Sequence, residues 1–318
     1  MYMFPKVYVI NMDKSTERLK KIGSSLDAMG VPFERISGSD ECRARASGFP
    51  INAYCSTSCP SAVIGCAHSH VRAWQAFLDT DEEYAIILED DATFTDDFVS
   101  RIQDVLNSGV DFDLIQLGCS EDCGKIHGKP FSLLLKLVSF FVGQGKEKVQ
   151  DGLYNLDTMF GAHAYLVSKR GAKRLLKNLE RSGISWHIDV HIGIMKNLKK
   201  LAIIPSISNQ RLSVHSSTIA SNGNGNVSDE KETWFTPFIW LLHEPQVQFG
   251  KTLIRLKHII IAVVAFCIAT IIAKKKKVTK RFLVWLLGVC TASSVACVTA
   301  ARYHRRKHLE SVCGHAKF

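Results

Sequence analysis

Residues 84–91 have the sequence YAIILEDD, in which an apolar run ends directly in three acids. An unbroken apolar run of this length is typical of a strand that is covered on both faces of a sheet. Three consecutive acids at the end of a buried strand repel one another and destabilise the protein unless a cation or hydrogen-bond donors neutralise them. The segment therefore predicts a central strand over residues 84–88 with a charged functional site at its carboxyl end.

The acid triplet has the chemistry of a site for a hard divalent cation. Mg²⁺ and Mn²⁺ prefer carboxylate oxygens and leave coordination positions open for other ligands. Because side chains alternate along an extended chain, Glu89 and Asp91 should share one face and Asp90 should point to the other. We therefore predict that Glu89 and Asp91 share a metal ion and that Asp90 bonds to the backbone or to a ligand. A solvated turn in which an aspartate caps a helix is the alternative for the triplet by itself.

The N-terminal region predicts a βαβ unit. A β-branched run covers residues 6–10, a helix is expected from about Ser15 to Gly30, and a second strand is expected over residues 31–36. Later segments predict helices over 65–78 and 172–179 and strands over 112–117, 164–167 and 201–204. This order predicts an α/β layer architecture, in which ligands bind at the carboxyl ends of strands.

The positive charge of the protein is confined to its C-terminal part. The 318 residues carry a formal net charge of +10, yet residues 251–318 contain 14 Lys and Arg against a single acid, Glu310. Residues 1–250 hold 26 basic and 29 acidic residues and are slightly acidic. This distribution argues against a nucleic-acid partner and favours contact with a membrane surface. A hydrophobic content of 46% also excludes a disordered chain.

The C-terminal part contains two long apolar segments, at residues 253–273 and 282–301, with lysines and arginines beside them. Their lengths are close to the roughly 20 apolar residues that a membrane helix requires. We predict a membrane-anchoring tail over residues 251–318, joined to the body by a linker over residues 216–250; a buried core helix is the alternative. Because the N-terminal sequence lacks the pattern of a signal peptide, we expect the body to face the cytosol, with a lumenal body as the alternative.

Ten cysteines leave the redox compartment open at the level of sequence. Two pairs, Cys55-x3-Cys59 and Cys119-x3-Cys123, have a spacing one residue longer than the usual zinc knuckle. Free or locally bridged thiols are the favoured interpretation of these pairs, and zinc binding is the alternative.

Five sequence blocks occur in an order and spacing known from one protein family. They are VYVINMDKSTER (7–18), IGCAHSHVRAW (64–74), AIILEDDATF (85–94), GAHAYLVSKRGA (161–172) and ID (188–189). Together they resemble glycosyltransferase family 25, which includes lipooligosaccharide and procollagen galactosyltransferases, over about residues 5–215. The chain departs from the family pattern at His68, in the apolar region 131–142 and in the C-terminal tail.

The resemblance implies a GT-A-like, Rossmann-type nucleotide-sugar-binding domain over residues 1–215. It also implies an inverting glycosyltransferase that moves a sugar, usually galactose, from a UDP-sugar donor to a hydroxyl group. The acceptor would be a glycan, a glycolipid or a glycoprotein, and the cofactor would be a divalent metal, Mn²⁺ first and Mg²⁺ second.

The resemblance and the residue chemistry together assign candidate roles. Metal ligands at Glu89, Asp91 and His215 would stabilise the charge that develops on the leaving diphosphate. Asp189 is the candidate catalytic base, because a carboxylate among apolar neighbours can have a raised pKa. The residues expected to bind the donor are Asn11, Asp13, Arg18, Ser69, His70 and Asp90.

Alternatives remain open for individual residues and for the function. The alternative role of Asp189 is a helix N-cap, and that of Arg18 is a position on a helix surface. The alternative for His70 is a core histidine, and the alternative for His215 is a surface or core histidine. For the whole protein, the other classes are a catalytically inactive, membrane-tethered binding or adhesion protein and a metal-dependent phosphohydrolase.

Overall fold

A computed structural model describes most of the N-terminal two-thirds of the protein and short stretches beyond it. The described residues are 4–118, 148–156, 159, 161–210, 245–249, 252–255, 261, 265, 303, 306, 307, 309–311 and 313. Strands and helices alternate over much of this chain, so the predicted α/β class is confirmed.

Twelve strands are present in the described residues. Their bounds are β1 (Lys6–Asn11), β2 (Phe33–Ser37), β3 (Tyr84–Glu89), β4 (Ala92–Phe94), β5 (Leu114–Gln116), β6 (Lys148–Gln150), β7 (Leu153–Asn155), β8 (Ala164–Ser168), β9 (Lys200–Ile203), β10 (Ser208–Gln210), β11 (Pro245–Phe249) and β12 (Thr252–Arg255). Eight of them form one mixed sheet in the order β2-β1-β3-β8-β5-β9-β7-β6, while β4 pairs with β10 and β11 pairs with β12. In the large sheet β8 and β7 run opposite to the other six strands.

Helices cover both faces of the large sheet. Those within the described residues are α1 (Thr16–Ala28), α2 (Glu41–Ala46), α3 (Ala53–Ser58), α4 (Ser61–Leu78), α5 (Phe98–Asn107), α6 (Lys169–Ser182) and α7 (Ile188–Gly193). The predicted βαβ opening is confirmed as β1-α1-β2, with the two strands parallel. Helix α1 is followed by Gly30, whose φ of +66° is a left-handed conformation that glycine adopts most easily. Helix α4 begins earlier than predicted, because Pro60 occupies its N-cap position and leaves no unsatisfied N–H there.

Strand β3 lies between β1 and β8, inside the large sheet. Ala85 and Ile87 pack into a hydrophobic cluster with helices α4 and α6, whereas Ile86 and Leu88 pack into a second cluster with α1 and α5. All four side chains are fully buried. The prediction of a strand covered on both faces is thus confirmed.

The carboxyl ends of β1, β2 and β3 lie at one edge of the sheet, because these strands are parallel. Helix α4 packs closely against the chain that leaves β2 at this edge. A Cβ atom added to Gly65 would lie 2.3 Å from the carbonyl oxygen of Ser39. Only glycine permits this approach, which brings the residues that follow in α4 next to the end of β3.

The predicted membrane tail is not supported by the described residues. None of their helices is long and apolar enough to cross a membrane. Leu253, the first residue of the first apolar segment, lies in strand β12, which pairs antiparallel with β11 at the end of the predicted linker. The second apolar segment, 282–301, and the region 131–142 lie outside the described residues.

Two disulfides are present in the described residues. Cys55–Cys59 closes a local loop at the end of α3, and Cys42–Cys313 joins α2 to the C-terminal segment. The favoured interpretation of Cys55-x3-Cys59 was free or locally bridged thiols; the local bridge is confirmed, and zinc binding by this pair is wrong. The pair at 119 and 123 lies outside the described residues.

Candidate active site

Three acids meet polar groups from several elements at the carboxyl edge of the sheet. The chain turns directly after Glu89, so Asp90 and Asp91 form a turn before strand β4. Asp90 is 9% exposed, and the side chain of Asp91 is 13% exposed. Such burial destabilises ionised carboxylates unless partners compensate their charge.

The negative charge of Asp90 is compensated by side chains of the N-terminal βαβ unit. Asn11 donates from Nδ2 to Oδ2 of Asp90 at 2.7 Å, and Nη1 of Arg18 lies 2.9 Å from Oδ1. Burial raises the pKa of Asp90, while the hydrogen bond from Asn11 and the charge of Arg18 oppose that rise. Asp90 thus bonds to side chains rather than to the backbone, and it ties the end of β3 to β1 and α1.

Glu89 contacts two histidines. Nε2 of His70 lies 3.3 Å from Oε1 of Glu89, and the backbone N–H of Glu89 donates to the carbonyl oxygen of His163 at 2.8 Å. Burial acts to raise the pKa of Glu89, but the hydrogen bond and charge of His70, helped by His163, leave it below its usual value. Glu89 is therefore negatively charged at neutral pH.

The negative charge of Asp91 is the least compensated of the three acids. Nε2 of Gln210 donates to Oδ2 of Asp91 at 3.1 Å, and Nη2 of Arg18 lies 3.9 Å from the same oxygen. Its Oδ1 atom is buried and has no hydrogen-bond partner in the part of the chain that the structure describes. Burial, and then the charge of Glu89, raise the pKa of Asp91 to about 6. A cation would stabilise this arrangement.

His70 is a buried histidine whose ring is fixed by aromatic neighbours. Its Nδ1 lies 2.9 Å from the hydroxyl of Tyr165, which also accepts a hydrogen bond from Nε1 of Trp74 at 2.8 Å. The rings of His70 and Tyr165 stack with their centroids 5.7 Å apart. The ring therefore belongs to the core, while its Nε2 faces Glu89 at the site.

Two residues without a predicted role lie beside the same acids. His163 is 1% exposed, and neither of its ring nitrogens has a hydrogen-bond partner among the described residues. Cys66 precedes His70 by one turn of α4, and its sulfur lies within 4.8 Å of the ligand atoms of His70 and Glu89. Their spacing of four residues in a helix was the only sequence signal for Cys66. We call the following residues the acid pocket: Cys66, His70, Glu89, Asp91 and His163.

Asp189 joins helix α7 to the chain before β8. Its Oδ2 accepts a hydrogen bond from the backbone N–H of Gly161 at 2.8 Å, and its Oδ1 accepts one from the N–H of Val190 at 2.8 Å. His187 occupies the N-cap position of α7, so Asp189 is not the cap. Burial raises the pKa of the Cys66 thiol, and the charge of Asp189 adds to that rise. Asp189 thus links α7 to Gly161, and its charge extends to Cys66 of the acid pocket.

Two further predicted donor-binding residues, Asp13 and Ser69, form polar contacts with other residues of the protein. Asp13 is ion-paired with Arg35 and accepts a hydrogen bond from the hydroxyl of Ser37 at 2.8 Å, and these two contacts lower its pKa. Ser69 is buried and accepts a hydrogen bond from the backbone N–H of Ser39 at 2.8 Å. Asp13 therefore lies at the sheet edge, whereas Ser69 fixes the chain that follows β2.

An arginine cluster surrounds Ser37 at the same edge. Arg43 donates to the hydroxyl of Ser37 at 2.8 Å, and Arg72 donates to its carbonyl oxygen. Arg35 donates to Oδ1 of Asn11 at 3.0 Å, which connects the cluster to the Asp90 network. Burial and then repulsion from Arg43 lower the pKa of Arg72. Because the three arginines come from β2, α2 and α4, no local sequence motif reveals them.

His215, the third predicted metal ligand, lies outside the described residues. The other candidates at this edge are brought together as two connected groups. The first group contains Asn11, Asp13, Arg18, Asp90 and, through Arg18, Asp91, and the second contains His70 and Glu89.

Family membership follows from the sequence match. The sequence model of "Glycosyltransferase family 25 (LPS biosynthesis protein)" matches residues 4–192. This chain belongs to glycosyltransferase family 25. The matched residues cover more than half of the chain and include the whole acid pocket, so the resemblance predicted from the five sequence blocks is confirmed.

A curated relative of this family 25 chain comes from Aedes aegypti and is described as a "Glycosyltransferase 25 family member". It is 27% identical over 209 residues, which are 60% of this chain and 31% of the relative. The matched part therefore spans about a third of the relative's length.

Several solved structures have partial similarity to the family 25 chain. A197 from STIV has a TM-score of 0.37 and 12% identity, with coverage of 65% of this chain and 83% of that chain. A glycosyltransferase involved in the glycosylation of the major capsid of PBCV-1 has a TM-score of 0.33 and 8% identity, with coverage of 68% and 97%. The assignment to family 25 rests on the sequence match.

Replacing Asp91 with asparagine should stabilise the metal-free protein at neutral pH. The pKa of Asp91 is raised to about 6, so its ionisation opposes folding above that pH, and asparagine removes this effect. At about 1.4 kcal/mol per pKa unit, we expect a gain of about 1–3 kcal/mol in the free energy of unfolding. Urea unfolding in chelator would measure it.

The pH dependence gives the control for this stability change. A folded-state pKa above the ordinary 3.8 means that the wild type loses stability as the pH rises through about 6, whereas Asp91→Asn does not. The two proteins should therefore converge in acid. Asp104→Asn, at an exposed acid of α5, should show no such gain. An Asp91→Asn protein that is equally or less stable at neutral pH would contradict the assignment.

Proposed function

We propose that this protein is an inverting glycosyltransferase of the GT-A type. It transfers a sugar, galactose in the first instance, from a UDP-sugar to a hydroxyl group of a glycan, glycolipid or glycoprotein acceptor. The observation that carries the proposal is the acid pocket at the carboxyl edge of parallel strands in a chain of glycosyltransferase family 25. Ligands of α/β sheets bind at this edge.

The acid pocket has the donor atoms for a divalent cation. Glu89 and Asp91 offer carboxylate oxygens, and the buried Oδ1 of Asp91 has no partner within the described residues. We infer that these two residues would hold Mn²⁺ or, second, Mg²⁺, and His215 stays a predicted third ligand. The bound ion would supply electrostatic stabilisation for the negative charge on a leaving diphosphate.

The groups beside the acid pocket suit the nucleotide part of the donor. Arg18 lies 2.9 Å from Asp90 and 3.9 Å from Asp91, so it stands between the Asp90 network and the acid pocket. We infer that Asn11, Arg18 and Asp90 hold the nucleoside. The arginine cluster around Ser37 adds positive charge near this position, and guanidinium groups bind phosphate with charge-assisted hydrogen bonds.

Asp189 is our proposed base for the acceptor hydroxyl. Its charge acts on both Cys66 and His163, and this supports a role beside the acid pocket. Each carboxylate oxygen accepts one backbone hydrogen bond and retains a further lone pair, which a hydroxyl proton can reach. General-base catalysis requires this reach, and the two backbone bonds would hold the carboxylate in place.

We infer that the body works in an oxidising compartment at a membrane surface. Disulfides such as Cys42–Cys313 and Cys55–Cys59 persist in oxidising compartments and are rare in the cytosol. They favour the lumenal alternative over the cytosol-facing body expected from the sequence. The basic residues of segment 251–318 would be attracted to a membrane surface on that side where it carries anionic groups; the strongly anionic leaflet of a cell membrane is the cytoplasmic one.

Cleavage of the donor should require both a divalent ion and Asp91. With UDP-galactose, the full chain should release UDP in Mn²⁺ and should be inactive in chelator. Asp91→Asn should lower turnover about 100- to 1,000-fold, since removal of one preorganised charge-stabilising group costs about 3–4 kcal/mol. Asp104→Asn should keep the wild-type rate, because its side chain is exposed on α5.

Two outcomes of this assay would contradict the proposal. Full activity in chelator, or in Asp91→Asn, would rule out the metal role of the acid pocket. Release of UMP and a sugar phosphate, with no transfer to any hydroxyl acceptor, would favour a metal-dependent phosphohydrolase instead.

Asp189→Asn should separate donor binding from chemistry. Because the proposed base contacts the acceptor hydroxyl and not the diphosphate, UDP affinity should change little while turnover falls about 100-fold or more. Calorimetric titration with UDP and a transfer assay measure the two quantities. Weaker UDP binding together with a lower unfolding midpoint would show that Asp189 only links α7 to Gly161.

The Cys42–Cys313 disulfide should be found in protein isolated from its native cells. Alkylation without a reductant, followed by peptide mass spectrometry, should leave Cys42 and Cys313 unmodified and linked. With the alkylation done in denaturant and chelator, Cys66 is a free thiol and serves as the internal control that the reagent has worked. Alkylated Cys42 in protein that was never exposed to reductant would contradict the oxidising compartment. A glycan on Asn226, in the sequon Asn226-Val227-Ser228, would support a lumenal body.

A further inference from the structure

We propose that Cys66, His70 and Glu89 form a binding site for Zn²⁺ or another thiophilic divalent cation. Cys66 and His70 lie one turn apart on helix α4, and Glu89 ends strand β3. Their ligand atoms all lie within 4.8 Å of one another, so small side-chain movements bring them to one ion at the 2.0–2.3 Å distances typical of zinc.

The ligand set differs in kind from the Mn²⁺ site proposed above. The Mn²⁺ site is built on the two carboxylates of Glu89 and Asp91, which suit Mg²⁺ and Mn²⁺, whereas a thiolate, an imidazole and a carboxylate together suit zinc. The charges balance, because a Cys66 thiolate and the Glu89 carboxylate neutralise a divalent ion and neutral His70 adds a third ligand. On binding, the S–H bond of Cys66 is replaced by a sulfur–metal bond and the proton passes to solvent.

His70 already has the orientation that a metal ligand needs. Its Nε2 faces Glu89 at 3.3 Å, while its Nδ1 lies 2.9 Å from the hydroxyl of Tyr165. That hydroxyl accepts one hydrogen bond from Trp74 and has a second lone pair, so it can also accept one from a protonated Nδ1. Nε2 is then free to bind the ion, with the second-shell support usual for metal-binding histidines.

Two of the three proposed ligands are in contact with solvent. Cys66 is partly exposed, and 26% of the Glu89 side chain is exposed, whereas His70 is fully buried. Three protein ligands leave the fourth position open to water or to a substrate oxygen. A bound thiophilic ion would withdraw Glu89 from the Mn²⁺ site and inhibit transfer. This inhibition rests on the proposed function, but the binding itself does not.

The test uses Co²⁺ as a spectroscopic probe on the full chain after removal of metals. A thiolate bound to Co²⁺ gives a charge-transfer band in the near ultraviolet. We expect this band with equimolar Co²⁺ in the wild type, its loss on addition of Zn²⁺, and its absence in Cys66→Ser. Asp91→Asn should keep the band, because Asp91 belongs only to the proposed Mn²⁺ site. Cys267→Ser removes a cysteine elsewhere in the sequence and should also keep the band.

Failure of the wild type to show the band, or a band that is unchanged in Cys66→Ser, would overturn the site. A second measurement needs no substitution: Zn²⁺ should protect Cys66 of the wild type from alkylation, as read by peptide mass spectrometry, and unprotected Cys66 would overturn the proposal. Zinc inhibition of donor cleavage should be at least about tenfold weaker in Cys66→Ser, since even second-shell changes weaken metal binding by that factor. If the transferase proposal fails, the cobalt band and the protection experiment still decide the metal site.

Discussion

Charge repulsion among three carboxylates at the end of one buried strand constrains the rest of this structure. Strand β3 fills both hydrophobic layers and thereby carries Glu89, Asp90 and Asp91 to the edge of the sheet. The protein compensates Asp90 with side chains from β1 and α1, and Glu89 with His70. Asp91 keeps a buried oxygen without a partner among the described residues. Such incomplete compensation is typical of functional sites, where a ligand supplies the missing charge.

The elements around β3 each contribute to this site through a specific contact. Strand β8 runs antiparallel to β3 and brings His163 directly opposite Glu89. Helix α4 approaches the edge because Gly65 has no side chain, and it places Cys66 and His70 beside the same acid. The sheet of β4 and β10 brings Gln210 to Asp91. In this family 25 chain, the site thus depends on contacts between elements that are far apart in sequence.

Local patterns in the sequence were sufficient to predict the βαβ opening, strand β3 and the acid triplet. The alternation of side chains along a strand did not describe the triplet fully. The strand ends at Glu89 and the chain turns there, so Asp90 and Asp91 do not continue its alternation. His163 and the arginine cluster could not be predicted from the residues alone, since each depends on pairing between elements that are far apart in sequence. The same holds for Cys42–Cys313, whose partners are 271 residues apart. Apolar composition predicted a helix where Leu253 instead lies in a strand, because composition alone does not distinguish the two.

The central claim is that Glu89 and Asp91 hold a divalent ion that faces the diphosphate of the donor. Crystals grown with Mn²⁺ and UDP, measured at the manganese absorption edge, would locate the ion by its anomalous scattering. The account predicts one anomalous peak in contact with carboxylate oxygens of Glu89 and Asp91 and with the phosphates of UDP. UDP bound at this edge with no anomalous peak between the two acids, or with the manganese elsewhere, would contradict it.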